Sequence, residues 1–432
     1  MNKIITNKDI GSLLYRVNQI ACILMCMWIA IPYFRIRVGV IFLLFTFIIW
    51  LITTDLKWLI RQWTLDLVFL LIFFTTLIPY IIVGSLAYGI VNLSIFFVGL
   101  FINHYYMYYK EDYRMLGKIA FFSLLFFTVG SLQTYFGLLE YPMASRELAG
   151  AVANHPEVGR IYDNLGIGGF GHIYSASFLL VISLYLNFKK NNLLPIKLKV
   201  FSIITVVTMF LMILEASYAT SLIIVFFGFF MVLIIRNKSI LILLITIGFM
   251  FFLLFSSILI SPFFLKLAEI FSGNAILYVK FIELSNIFKN GAIVGQTGDR
   301  IELYLMSFQT FLENPLFGIY GPFGNTANAA IGGHSGWFDL LAYYGVFTAV
   351  PLFLILYFNY RKHMKFYRKS NFYSYIIVIY LLFILFGIVN PILTVFEIGF
   401  VIFCVVPIIP FMPFAFKNQG IHPKLYQKVR TK

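Results

Sequence analysis

Long apolar runs alternate with short polar segments along almost the whole chain. Each run is about 20 residues long, the length that an α-helix needs to cross a hydrocarbon core about 30 Å thick. The runs lie at 18–34, 36–54, 64–83, 86–109, 115–139, 172–188, 200–216, 218–235, 239–260, 337–360, 373–390 and 392–414. This pattern predicts an all-α, polytopic integral membrane protein, a single domain over 1–432 with about twelve transmembrane helices.

Composition and charge add the orientation. Hydrophobic residues make up 61% of the chain and charged residues only 11%, whereas about a quarter of a soluble protein is charged. About three quarters of the 32 lysines and arginines fall in alternate connecting segments, which by the positive-inside rule face the cytoplasm. Both termini belong to that set. The net charge of +15 is therefore a signal of topology and requires no nucleic-acid partner.

Two connecting segments on the opposite, extracytoplasmic side are long: 140–171 and 261–336. Aromatic and aliphatic residues are spread through both, so neither has the composition of a disordered linker. The second segment predicts three short helices, at 262–271, 275–288 and 300–313. Apolar residues recur at helical spacing in the last of these, and Asn314-Pro315 ends it. Ordered loops between membrane helices commonly carry function.

Arg300 opens the third short helix. A guanidinium at a membrane surface can bind a phosphate or diphosphate through two parallel hydrogen bonds. It can equally be an interfacial side chain that pairs with Asp299 or extends toward water. Its position alone leaves both interpretations open.

His334 lies in the sequence Gly-Gly-His-Ser-Gly at 332–336, just before an apolar run. A histidine that is neutral near pH 7 can act as a general base toward a sugar hydroxyl. The alternative is a polar helix cap, with Ser335 as the capping residue. Asp339, one turn later, can orient His334 or cap the same turn. We take His334 and Arg300 as candidate catalytic residues, and Ser335 and Asp339 as candidate substrate-binding residues.

A glycine-rich stretch, LGIGGFGH at 165–172, leads into the sixth predicted span, and Arg160 lies shortly before it. Glycines ahead of a helix N-terminus suit an anion, although ordinary turn glycines explain the same pattern equally well. The stretch lacks the lysine and hydroxyl residue of a nucleotide-binding P-loop. Arg160 and His172 are candidate substrate-binding residues, and no spacing of metal ligands is present.

Glu215 and Tyr218 frame a small polar tip between the seventh and eighth spans. A carboxylate in a bilayer costs a few kcal/mol unless it is paired or faces a wet cavity. We add both residues to the candidate substrate-binding set, with a structural role for Glu215 as the alternative.

Several of these elements together resemble a known group. They are Arg300, Asn314-Pro315-Leu316-Phe317-Gly318, His334-Ser335-Gly336-Trp337, Leu340-Leu341 and Tyr344-Gly345. In this order they resemble the signature region of the O-antigen ligase/polymerase superfamily, and most closely that of the Wzy-type polysaccharide polymerases. The stretch from Arg160 to His172 is similar to an element that precedes a span in many of those polymerases.

The resemblance implies a GT-C-like glycosyltransferase of the bacterial cytoplasmic membrane that joins polyisoprenyl-diphosphate-linked oligosaccharide repeat units into a surface or capsular polysaccharide. It implies no metal and no other cofactor. By this analogy Arg300, together with Arg160, holds the diphosphate, and His334 acts on the acceptor hydroxyl, on the extracytoplasmic side. A chain-length regulator and a flippase are the implied partners.

The chain departs from the family pattern at one cation. Members often carry Ser-Arg at the tip between the seventh and eighth spans, where this chain has Ser217-Tyr218. Arg146 and Lys280 are the alternative sources of a second cation.

Two other functions remain as alternatives. A ligase would pass the lipid-linked glycan to a different acceptor, although the residues after His334 resemble polymerases more. A flippase or other transporter is the alternative from a different class. Transporters commonly contain two related halves, and this sequence shows no internal repeat.

Overall fold

The computed structural model describes residues 7–55, 57–58, 64–82, 87–148, 156–188, 195–234, 261–290, 296–319, 331–368, 370, 372–393 and 395–416. All regular structure within these ranges is helical. The helices are α1 Asn7–Ala30, α2 Pro32–Thr53, α3 Leu65–Thr76, α4 Ile78–Ile82, α5 Ala87–Asn103, α6 Tyr113–Glu140, α7 Ala144–Glu147, α8 Pro156–Leu165, α9 Phe170–Phe188, α10 Ile196–Glu215, α11 Ala219–Ile234, α12 Ser261–Ile270, α13 Ala275–Asn290, α14 Gln296–Glu313, α15 Gly336–Tyr367, α16 Tyr373–Val389 and α17, which starts with Phe396–Phe400 and continues as π-helical, α-helical and 3₁₀ turns to Phe414.

In the part of the chain that the structure describes, eight helices are long and apolar enough to cross a membrane, which makes the protein a polytopic membrane protein. They are Leu13–Ala30, Pro32–Thr53, Leu65–Ile82, Tyr113–Glu140, Pro156–Phe188, Ile196–Glu215, Gly336–Tyr367 and Phe396–Phe414. Three further predicted spans correspond to the shorter apolar helices Ala219–Val232 and Tyr373–Val389 and to α5, which a π-helical stretch extends to Tyr109. The predicted span at 239–260 lies outside the described residues.

The three short helices predicted in the second long loop are confirmed as α12, α13 and α14. Only their ends differ from the prediction, and the largest difference is that α14 begins four residues earlier, at Gln296.

The chain divides into two compact units. Unit 1 comprises Met1–Thr64, Ser94–Ala216 and Phe396–Gln427, and unit 2 comprises Leu65–Leu93, Ser217–Val395 and Lys428–Lys432. In unit 1 the helices α1, α10 and the end of α17 pack against α6. The hydroxyls of Thr128 on α6 and Thr205 on α10 lie 3.0 Å apart and are buried. Hydroxyl contacts of this kind hold helices together where the surrounding lipid offers no hydrophobic driving force.

Unit 2 is organised around α15, against which α3, α14 and α16 pack. Toward the C-terminal end of α15, Lys362 Nζ lies 2.6 Å from the buried Asp66 carboxylate of α3. Asn359 also donates to Asp66, and the Tyr380 hydroxyl of α16 donates to Asn359 at 2.5 Å. The buried carboxylate is thereby paired and hydrogen-bonded, as burial of a charge requires.

α15 is broken at Gly345, which has a φ of 62°. The turn 314–319, which follows α14, fills the break. Val346 N–H donates to the Pro315 carbonyl at 2.9 Å, and Phe347 N–H donates to the Leu316 carbonyl at 3.1 Å. The two backbones are in direct contact. A Cβ added at Gly345 would lie only 2.3 Å from the Leu316 carbonyl. The Asn-Pro-Leu-Phe-Gly sequence therefore has a structural task, which is to complete a broken helix.

Candidate functional site

The candidate site in unit 2 is built where α14 meets the start of α15. Arg300, Tyr304 and Ser307 occur at i, i+4 and i+7 along α14 and therefore share one helix face. The Arg300 guanidinium lies near the Tyr304 hydroxyl, which donates to the Val389 carbonyl at 3.2 Å. Tyr304 and Ser307 are contacts that sequence reasoning missed, although their spacing from Arg300 could have indicated them.

Ser307 joins the two helices. Its hydroxyl donates to Asp339 Oδ1 at 2.6 Å and accepts from Gly332 N–H at 2.9 Å. Gly332 runs so close to α14 that a Cβ there would lie 2.2 Å from the Leu303 carbonyl. Only glycine permits this approach, which brings the 332–335 segment onto α14.

Ser335 caps α15, which was one of the two alternatives that the sequence left open. Its hydroxyl accepts from Phe338 N–H at 3.3 Å, and its own N–H donates to Asp339 Oδ2 at 2.9 Å. This is a reciprocal cap of the kind that fixes a helix N-terminus. Gly336 N–H donates to the Asn390 carbonyl at 2.9 Å, which ties the same end to the segment after α16.

Asp339 is buried, and both of its oxygens serve the cap and α14. Between the two sequence alternatives for this residue, the geometry fits capping of the first turn. Asp339 therefore holds the backbone that flanks His334. A direct contact of Asp339 or Ser335 with a substrate stays a prediction.

His334 is half-buried at the start of α15, close to the guanidinium of Arg300. Burial, and secondly the positive charge of Arg300, lower the pKa of His334 below its ordinary value of 6.5. The imidazole is therefore neutral at pH 7 and able to accept a proton. Burial raises the pKa of the neighbouring Tyr304, so this phenol stays protonated. The cluster thus offers a cation, a neutral base and a hydroxyl within one small region.

The residues predicted from the first long loop lie in unit 1, and Arg160 and His172 differ in exposure. Arg160 is exposed on the short helix α8. His172 is only 1% exposed, its ring stacks on Phe127, and its Nε2 lies 3.3 Å from the Ser131 hydroxyl. The structure thus gives His172 a packing contact, and substrate binding by Arg160 and His172 stays a prediction.

Unit 1 also contains an arginine that sequence reasoning did not single out. Arg35, near the start of α2, lies 2.6 Å from Glu397 in the first turn of α17, and its guanidinium covers the Phe396 ring at 5.0 Å. Because α17 begins at Phe396, Glu397 lies at the end of this helix and pairs with Arg35.

The tip between α10 and α11 is tightly folded. Ser217 has a φ of 59°, a left-handed conformation, and its hydroxyl accepts from Asn274 at 2.6 Å. Glu215, the last residue of α10, belongs to unit 1 and Tyr218 to unit 2, and both are partly exposed. Substrate binding by these two residues stays a prediction.

Of the two alternative second cations, Lys280 is engaged with Glu283 on α13 at 3.1 Å. Arg146 lies on the short helix α7 of unit 1. Within the described ranges, no group of three or more His, Cys, Asp or Glu side chains is arranged to hold a metal ion.

Comparison with known proteins does not assign the chain to a family. It matches no protein-family model, and no curated protein is significantly similar to it.

Proposed function

We propose that the protein is a membrane glycosyltransferase that polymerises polyisoprenyl-diphosphate-linked oligosaccharide repeat units into a surface or capsular polysaccharide. The observation that carries the proposal is a half-buried imidazole, His334, at the start of a membrane helix, close enough to the guanidinium of Arg300 for its positive charge to lower the pKa of the imidazole. The signature order around these residues, given above, supplies the substrate class.

In the proposed reaction, an acceptor sugar hydroxyl attacks the anomeric carbon of the donor glycan. A new C–O glycosidic bond forms, and the bond from that carbon to the lipid diphosphate breaks with inversion. The electron pair leaves with the diphosphate oxygen, and the hydroxyl proton passes to His334. Arg300 stabilises the negative charge of the departing diphosphate through two parallel hydrogen bonds.

The reaction requires no further chemical group from the protein. A diphosphate is already a good leaving group, so positioning of the two sugars and stabilisation of charge supply most of the catalysis. The Ser307–Asp339–Ser335 contacts provide such positioning, because they fix the backbone on both sides of His334.

The proposal includes a membrane arrangement. We place the protein in the bacterial cytoplasmic membrane as a GT-C-like bundle of twelve spans, with both termini in the cytoplasm and His334 on the extracytoplasmic side. The charge asymmetry of the connecting segments supports this orientation.

The test uses the purified protein in liposomes. Lipid-linked oligosaccharides extracted from source cells that lack the protein serve as both donor and acceptor. A ladder of products, with one polyisoprenyl diphosphate released per linkage, is the expected result. Product that forms only when a second kind of acceptor is added would identify a ligase, and movement of unchanged lipid-linked oligosaccharide across the bilayer would identify a transporter.

A further inference from the structure

α14 exposes its apolar side chains and buries polar ones. The sequence predicts that its apolar residues form one stripe, yet Leu305, Phe308 and Leu312 are exposed, with Leu312 at 59%. The buried face carries the polar residues Ser307 and Thr310 instead. A helix with apolar residues outside and hydroxyls inside is what a hydrocarbon surrounding favours, since lipid is as apolar as leucine.

The turn after α14 continues this pattern. Leu316 is 61% exposed and Phe317 is 46% exposed. The Phe317 ring lies 5.4 Å from that of Phe347, which is itself exposed on α15. The stripe of α14 is thus continuous with the outward face of α15, along which Val346, Val350 and Phe353 are exposed. A contiguous apolar surface of this kind marks an interaction site.

Four consecutive carbonyls of the turn accept hydrogen bonds from the protein, although the neighbouring side chains of Leu316 and Phe317 are exposed. The carbonyls of 314, 315, 316 and 317 accept from Gly318 N–H, Val346 N–H, Phe347 N–H and the Tyr80 hydroxyl, respectively. Ile319 N–H donates to the Ala342 carbonyl. In water these carbonyls would need no protein donor. In hydrocarbon they would, because non-helical backbone is tolerated at membrane depth only where the protein satisfies it.

The position of the turn along α15 gives its depth. The stretch between Asp339 and Arg361 contains no charged residue, and at about 1.5 Å per residue it spans about 30 Å, the thickness of a hydrocarbon core. Val346 and Phe347, which bond to the turn, lie about 10 Å inside the Asp339 end of that stretch. A turn hydrogen-bonded to them shares their depth.

We propose that α14 and the turn 314–319 form a re-entrant segment whose exposed apolar stripe contacts the acyl chains of the bilayer. The stripe comprises Leu305, Phe308, Leu312, Leu316 and Phe317. The segment is thus part of the membrane surface of unit 2, although the sequence places it within an extracytoplasmic loop, 261–336. This inference rests on α15 crossing the bilayer and is independent of the proposed reaction.

A second exposed stripe on α14 is polar, and the proposal assigns it to water. Glu302, Gln309 and Glu313 recur at i, i+7 and i+11 and are exposed on the helix side next to the apolar stripe. Exposed carboxylates at this depth require a wet cavity. α14 therefore separates lipid on one side from water on the other, in the manner of an amphipathic interfacial helix.

The test compares cysteine variants on the same segment in liposomes. Leu312→Cys and Leu316→Cys probe the lipid-facing stripe, and Gln309→Cys is the matched control on the water-facing stripe. The three native cysteines are buried and free, so the unsubstituted protein gives the background. Labelling by a membrane-impermeant maleimide should be about tenfold or more slower at 312 and 316 than at 309, because the reactive thiolate is disfavoured in hydrocarbon.

Spin labels at the same three positions provide an independent measurement. At 312 and 316 we expect relaxation by oxygen, which dissolves in lipid, and at 309 by a water-soluble nickel complex. Equal labelling rates and equal nickel accessibility at all three positions would overturn the proposal. Exclusion of both aqueous reagents from 309 would overturn the assignment of its stripe to water.

Discussion

The Ser307 hydroxyl donates to Asp339 Oδ1 at 2.6 Å, and this buried hydrogen bond fastens α14 to the first turn of α15. Arg300 lies two turns earlier on the same face of α14, and His334 precedes the capped turn of α15. The Ser307 hydroxyl thus helps to fix the relative position of Arg300 and His334, neither of which it contacts. Removal of the Ser307 hydroxyl should therefore lower activity more than the loss of a single hydrogen bond would suggest.

Ser307→Ala should destabilise the protein by about 1–3 kcal/mol, because a buried carboxylate oxygen and the Gly332 N–H lose their partner. It should also lower the polymerisation rate at temperatures where the variant is fully folded. Ser285→Ala is the matched control, since Ser285 forms a buried hydrogen bond with Ser261 in the same unit. Equal losses of activity in the two variants would reduce Ser307 to an ordinary stabilising residue.

The Ser307→Ala and Asp339→Asn substitutions should be non-additive. The two side chains contact each other directly, so a double-mutant cycle should give a coupling energy of about 0.5–3 kcal/mol. Thermal unfolding of the four variants in one detergent measures it. A coupling energy of zero would mean that the two residues act separately.

His334→Ala should abolish formation of the product ladder, since the acceptor hydroxyl then has no base to receive its proton. Expression and membrane insertion should not change. The control is Gln309→Ala, an exposed polar position on α14 whose loss should leave the ladder intact. Near-normal chain lengths with His334→Ala would remove this residue from the mechanism.

Substitution of Arg300 should separate charge from geometry. Arg300→Lys keeps the positive charge, so the pKa of His334 should stay low, but the paired hydrogen bonds to a diphosphate are lost and the rate should fall severely. Arg300→Gln also removes the charge that lowers the pKa of His334. That pKa should then rise toward 6.5.

The sign of the pH effect follows from this change. A base works only when deprotonated, so activity falls as the pH drops through its pKa. The decline should therefore begin at a higher pH in Arg300→Gln than in the wild type or in Arg300→Lys. Initial rates measured from pH 4 to pH 8 provide the comparison, and identical acid limbs in all three proteins would show that Arg300 does not act on His334.

Gly345 should tolerate no side chain. Gly345→Ala combines a strained positive φ with a Cβ only 2.3 Å from the Leu316 carbonyl, so the turn 314–319 would have to move away. Gly39 has a similar φ of 68° with open space around it, and Gly39→Ala therefore measures the backbone strain alone. The expected result is a much larger loss of thermal stability for Gly345→Ala, and comparable losses would show that the contact is not rigid.

Much of the helical pattern could be predicted from the sequence, because a bilayer imposes a simple length rule on apolar runs. The C-terminal end of α14 was also predictable, since Asn314-Pro315 interrupts a helix locally. The cap formed by Ser335 and Asp339 was one of two interpretations that residue types at this spacing allowed. Each of these features depends on neighbours along the chain.

The remaining features depend on contacts between distant segments. The partner of Ser307 is 32 residues away, and that of Arg35 is 362 residues away, so no local spacing indicates either contact. The outward direction of the α14 stripe was also hidden. Helical periodicity locates an apolar face, but it does not distinguish a face that packs on protein from one that faces lipid.

The break at Gly345, together with the proposed re-entrant arrangement, implies an order of assembly. The turn 314–319 is synthesised before residues 342–347, which provide its hydrogen bonds. Until residues 342–347 have been synthesised, the carbonyls of Pro315 and Leu316 can accept hydrogen bonds only from water. We therefore expect α14 to stay at the membrane surface during this stage. α14 should then enter the hydrocarbon core at the same time as α15 inserts into the membrane. A nascent chain that ends before residue 342 should leave α14 outside the hydrocarbon core, and one that extends past residue 367 should draw it in.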